Sequence, residues 1–152
     1  MYYLTDTSIE NGCLRVIPGS HIHRHELHDN LNKEHAEYRR IDDPEDIAYR
    51  KAAGEIDLPV NVGDLVIGDS RLLHSSHANK SEKSRTVVTL WYFPDFDELP
   101  EAIRASFNGD GRHAWPDGWP DRAKEIIEPF RPIYNGEVAP VKWHRIPSAK
   151  LR

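Results

Sequence analysis

The stretch at residues 63–94, GDLVIGDSRLLHSSHANKSEKSRTVVTLWYFP, decides the fold. Gly63-Asp64 marks a turn, residues 65–67 and 72–73 are apolar strand-like pieces, residues 79–84 are polar and loop-like, and residues 86–93 read as a buried strand. A strand ending in His74, a polar loop and a strand opening with Arg85 bring an imidazole and a guanidinium toward the same end of a β-sandwich. Imidazole is the commonest metal ligand at neutral pH and guanidinium is the natural bidentate partner of a carboxylate, so the two side chains suit one shared small ligand.

Upstream, residues 2–4 read as a strand that a polar turn follows at once. Asn11-Gly12 is the strongest two-residue hairpin signal, and residues 13–17 supply a returning strand that Pro18-Gly19 ends. His21, His23, His25 and His28 then fall in a charged stretch with Arg24, Glu26, Asp29 and Asn30, which reads as a solvated His-rich loop. Residues 29–54 form a charged insertion, with a short helix expected over residues 44–53 behind Asp42-Asp43. Residues 56–60 resume a strand whose Pro59 marks a sheet edge.

Past Pro94 the pattern changes. Helical turns are expected over residues 101–107, a loop over 108–111, a repeated Trp-Pro unit at 115–120 and a short helix over 121–128 before a Pro-rich tail. The organisation expected is a core at residues 1–94 with an extension at 95–152 packed on it.

At 152 residues the chain makes one domain with room for a core, and no segment approaches the ~20 apolar residues of a membrane span. The opening MYYLTDTSIENG carries neither the basic start nor the apolar run of a signal peptide, and the single Cys13 cannot form an internal disulfide, which fits a reducing cytoplasm. A formal net charge of −5 gives no basic footprint and argues against nucleic acid as a partner. Cys13, between Gly12 and Leu14, reads as a small buried hydrophobe.

The run from His74 through Ser76 and Asn79 to Arg85 resembles the His-x-Ser-x-x-Asn…Arg signature of the phytanoyl-CoA dioxygenase family, iron(II)- and 2-oxoglutarate-dependent oxygenases built on a double-stranded β-helix. Glu10-Asn11-Gly12 and the following residues to Pro18-Gly19-Ser20-His21 look like that family's second hallmark, and the resemblance covers roughly residues 3–93. It implies a mainly β chain: a partial double-stranded β-helix, jelly-roll and cupin-like, with short helices and an irregular tail. By the motif, His74 is the distal iron ligand, Arg85 anchors the far carboxylate of 2-oxoglutarate, Ser76 helps bind that carboxylate, and Asn79 orders the intervening loop. The substrate implied is a small molecule, in a family that spans acyl-CoA compounds, amino acid derivatives and natural-product intermediates.

The departure from the family lies upstream. Its other two ligands come from a His-x-Asp motif before the Asn-Gly hallmark, and none of the ten residues before Asn11 is histidine. His35-Ala36-Glu37 has a related spacing but follows Pro-Gly-Ser-His, the wrong place in chain order. The expectation is an N-terminally truncated dioxygenase, inactive alone, whose uncovered strand edges favour self-association. Two other readings stay open: a non-catalytic β-sandwich binding or structural module, and a cupin-type metalloenzyme using His21, His23 and His25 with His74.

Overall fold

A computed structural model describes residues 1–31, 43, 45–107, 115 and 117–141. The chain divides into two compact units, one built on Met1–Trp91 and one within Tyr92–His144.

The first unit holds two small antiparallel sheets. Strand β2, Leu14–Val16, is buried along its whole length. It lies between β3, Ile56–Leu58, and β4, His74–Ser76. Its pairs are Leu14 with Leu58 and Ser76, Arg15 with Asp57 and Ser75, and Val16 with Ile56 and His74. The second sheet pairs β1, Tyr2–Tyr3, with β5, Val87–Val88. On the other side of β1, Met1 and Val66 exchange backbone hydrogen bonds and Tyr2 bridges Leu65. Tyr3, Cys13, Leu14, Val16, Ile17 and Leu27 form the buried core of this unit. The architecture is strands and coil with few short helices, and a closed jelly roll is not seen among the described residues.

Several sequence expectations shift. The Asn11-Gly12 pair does not join β1 to β2 as a hairpin, because the two strands belong to different sheets. A two-residue turn of that kind needs positive φ at both residues, and only Gly12, at φ 93°, has it. Instead, the Asn11 carboxamide oxygen accepts the Ser8 amide at 2.6 Å, its nitrogen donates to the Asp6 carbonyl at 2.8 Å, and the Lys80 amide donates to the Glu10 carbonyl at 2.9 Å. The loop therefore docks on the segment after β4 and carries the chain from one sheet to the other.

The strand expected at 65–67 reduces to the bridge at Leu65. Residues 72–73 lead into a strand that begins, rather than ends, at His74, since Asp69 closes a turn by accepting the Arg71 amide on its carboxylate and the Leu72 amide on its carbonyl. The strand expected at 86–93 shortens to β5, and Leu90 and Trp91 are exposed, not buried.

Residues 25–30, expected as loop, contain helix α1, Glu26–Asn30. His25 Nδ1 accepts the Leu27 amide at 3.2 Å while His28 Nδ1 accepts the His25 amide at 2.9 Å, a capping box built from two imidazoles. The helix expected at 44–53 is replaced by turns over the described residues from 45 on, where the Asp43 and Asp46 carboxylates accept the amides of Glu45 and Ala48 and compete with helical bonding. Asp42 and Pro44 lie outside the described residues.

The second unit contains α2, Glu101–Ser106, and α3, Asp121–Ile127, close to the helices the sequence indicates. Phe107 packs edge-on against Phe93 and Phe96, and the Tyr134 hydroxyl donates to Glu101 at 2.9 Å. The expected loop at 108–111, Pro116 of the first Trp-Pro unit and the end of the tail lie outside the described residues. Among those described, no helix is long and apolar enough to cross a membrane.

Candidate functional site

The site is built from β2 outward. The turn after β2 runs through Gly19, at φ 80°, and delivers Ser20 to the core side of β4. There the Ser20 hydroxyl oxygen accepts the Leu73 amide at 2.8 Å, and the Ile17 amide donates to the Leu73 carbonyl at 3.0 Å. Leu73 is thus gripped on both polar groups, which fixes the start of β4 and the Cα of the next residue, His74.

The His74 side chain is exposed, and its Nδ1 lies 2.7 Å from the Leu72 carbonyl oxygen. A carbonyl only accepts, so in this contact Nδ1 carries the proton, and in the neutral ring Nε2 is the nitrogen with the lone pair. That is the arrangement a metal-ligating histidine uses, one nitrogen oriented by a backbone carbonyl and the other free to bind. On this evidence His74 fits an iron ligand. Ser76, two residues on, shares its exposed face of β4.

Arg85 arrives at the far end of that strand. Pairing continues past Ser76, with the His77 amide donating to the Cys13 carbonyl at 3.0 Å, and the Arg85 Nε lies against Gly12, 3.4 Å from where a Cβ would stand. Asn79 orders the loop between: its carboxamide accepts the Ser81 amide at 2.9 Å and donates to the Lys83 carbonyl at 2.8 Å. The sequence runs His74, Ser76, then the Arg85 neighbourhood along one strand, with no direct hydrogen bond among the three. The half-buried Arg85 has no ion-pair or hydrogen-bond partner among the described residues, whereas Arg15 is engaged by Glu55 at 3.2 Å and by the Ser75 hydroxyl at 3.0 Å. Burial pushes the nearby Tyr3 hydroxyl up, and the Arg85 charge partly offsets this.

The opposite face of the same sheet carries a group that sequence reading missed. Cys13 and Arg15 on β2 and its approach, Asp57 on β3, and Ser75 and His77 on β4 and its exit all alternate to that side. His77 Nε2 lies 2.6 Å from an Asp57 carboxylate oxygen, and donor atoms of Cys13, Asp57 and His77 lie within 4.8 Å of one another. Burial, then the Asp57 charge, push the Cys13 thiol up. Cys13 is fully buried, as the sequence indicates, but its neighbours are polar. The signal available was the odd-numbered alternation of Cys13, Arg15, Ser75 and His77; the pairing with Asp57 was not available.

Of the upstream histidines, His25 uses Nδ1 as a helix cap and Nε2 toward the Ala53 carbonyl at 3.0 Å, and His28 caps the same helix. His21 Nδ1 is buried without a hydrogen-bond partner among the described residues, where His21, His23 and His25 do not gather with His74 into a group of three metal-ligating side chains. His35 and Glu37 lie outside the described residues.

The described residues thus form small antiparallel sheets, with an exposed histidine at the start of β4 and, beyond its end, an arginine with no ion-pair or hydrogen-bond partner among the described residues. The profile described as Phytanoyl-CoA dioxygenase (PhyH) matches residues 1–87, and the chain belongs to the phytanoyl-CoA dioxygenase family. It is 34% identical over 90 residues, 57% of this chain and 31% of the relative, to a phytanoyl-CoA dioxygenase domain-containing protein 1 homolog of Dictyostelium discoideum. A Caenorhabditis elegans homolog of the same name is 33% identical over 98 residues, 57% of this chain and 31% of that relative. The matched part of the chain thus spans about a third of the length of these curated relatives. No solved structure matches.

Proposed function

We propose that this chain carries the distal part of an iron(II)- and 2-oxoglutarate-dependent dioxygenase site of the phytanoyl-CoA dioxygenase type, a small-molecule hydroxylase. The observation that carries the reading is His74: Nδ1 is tied to the Leu72 carbonyl at 2.7 Å in an exposed residue, on a strand whose far end meets an Arg85 with no hydrogen-bond or ion-pair partner among the described residues.

In this reading His74 Nε2 is one iron ligand. Arg85 offers its planar fork to the far carboxylate of 2-oxoglutarate, and Ser76 donates its hydroxyl proton to the same carboxylate from the His74 face of β4. Asn79 keeps the connecting loop in the shape that sets the spacing of the two ends. When bound by two histidines and a carboxylate, iron supplies open positions for the keto acid and dioxygen. The His-x-Asp pair has no counterpart in the ten residues before Asn11, and the group of three potential ligands found among the described residues excludes His74. In this reading the chain supplies one ligand and the anion anchor.

The test is reconstitution. Joined to the part of the Dictyostelium discoideum relative that precedes its matched region, the chain is expected to form succinate in an iron-dependent manner, and His74→Ala is expected to abolish this. A folded, iron-loaded hybrid whose turnover is indifferent to His74 contradicts the reading.

A second reading, a non-catalytic β module, is favoured by the same absence of companion ligands around His74 among the described residues. It predicts a folded hybrid with no 2-oxoglutarate turnover.

A further inference from the structure

The buried face of the three-stranded sheet, opposite His74, brings a thiol, a carboxylate and an imidazole together from three different strands. Cys13 precedes β2, the central strand; Asp57 lies on β3 to one side and His77 just past β4 on the other. The pairing explains the convergence. Asp57 is directly opposite Arg15, the His77 amide bonds the Cys13 carbonyl, and all of these side chains project to the same side. We propose that Cys13, Asp57 and His77 form a second metal site, separate from His74, that takes a thiophilic divalent cation of the zinc class.

The donor set suits that class: one sulfur, one nitrogen and one oxygen, with three protein ligands leaving a fourth position for water or an external ligand. The spacing suits it too. Ligand atoms around a tetrahedral zinc stand about 3.4 to 3.8 Å apart, given bonds of about 2.0 to 2.3 Å. The three donors lie within 4.8 Å of one another, and the 2.6 Å Asp57–His77 contact has to open by about an ångström to admit the ion.

The charges balance. Entry of the cation displaces the Cys13 thiol proton to solvent and requires the His77 nitrogen that faces Asp57 to be free of its proton, so that thiolate, carboxylate, neutral imidazole and divalent ion sum to zero. The neighbouring Arg15 is already neutralised by Glu55 at 3.2 Å. Cys13 is fully buried, so the ion enters from the Asp57 and His77 side, where both side chains remain part-exposed.

The experiment is a cobalt(II) titration of the full chain followed by absorbance. A thiolate-to-cobalt charge-transfer band is expected, absent in Cys13→Ser and unchanged in His74→Ala. Asp57→Asn and His77→Ala are expected to weaken apparent affinity by at least the tenfold that loss of an outer-shell partner costs. Far-ultraviolet dichroism checks each fold. Should Cys13→Ser not fold, the Asp57 and His77 variants decide. A saturated, folded wild type with no thiolate band, a band that His74→Ala removes, or affinities unmoved in both Asp57→Asn and His77→Ala overturns the proposal.

Discussion

The Ser20 hydroxyl oxygen accepts the Leu73 amide at 2.8 Å across 53 residues of sequence, so the Pro-Gly-Ser turn directly holds the residue before His74. The two family hallmarks are therefore one structural device, with the first positioning the second.

That grip has a measurable cost when broken. Ser20→Ala removes the acceptor at a nearly fully buried position, and is expected to lower stability by about 1 to 3 kcal/mol in urea denaturation. It should also broaden the His74 ring signals in nuclear magnetic resonance spectra. Unchanged stability would mean that the Leu73 amide finds another partner at no cost.

Arg85→Lys replaces a planar fork by a point charge. Titration of 2-oxoglutarate, read by ligand-observed nuclear magnetic resonance, is expected to show affinity weakened by about 1 to 3 kcal/mol. Equal affinity in the variant would assign Arg85 to packing beside Gly12 and Tyr3 alone.

The turn before β4 carries a pH signature. The hydrogen bond from Arg71 holds the Asp69 carboxyl down at about 2, below the ~3.9 of an unfolded aspartate. Its stabilisation is thus full above about pH 4 and is lost as the pH falls through about 2. Arg71 is largely exposed, so screening keeps the effect below about 1 kcal/mol. The stability difference between wild type and Arg71→Ala, followed from pH 7 down to about 2, is expected to shrink toward zero.

Self-association is expected. Ile67, Leu90 and Trp91 are exposed at 86%, 77% and 68%, and β3, β4 and β5 are edge strands among the described residues. Light scattering should show dimers or larger species, diminished by Trp91→Lys; a monomer at high concentration would contradict this.

The family was legible because His74, Ser76, Asn79 and Arg85 stand in one run with the spacing of its signature. Strand pairing was less so. Asn11-Gly12 carries the hairpin pattern, but its backbone was decided by side-chain bonds to Asp6 and Ser8 and by docking on Lys80. The helix after His25 was hidden because imidazole is not among the preferred cap residues. The Cys13–Asp57–His77 group was hidden because its members come from three strands that only the register brings together.

The central claim, one iron ligand and one anion anchor in this chain, is tested most directly by anaerobic iron(II) titration followed by a succinate assay in air with 2-oxoglutarate. The account predicts weak iron binding that His74→Ala reduces further, and no succinate above the protein-free control, because His74 has no companion ligands around it among the described residues. Succinate formed by the chain alone, dependent on both iron and His74, would contradict it and require a complete ligand set within these 152 residues.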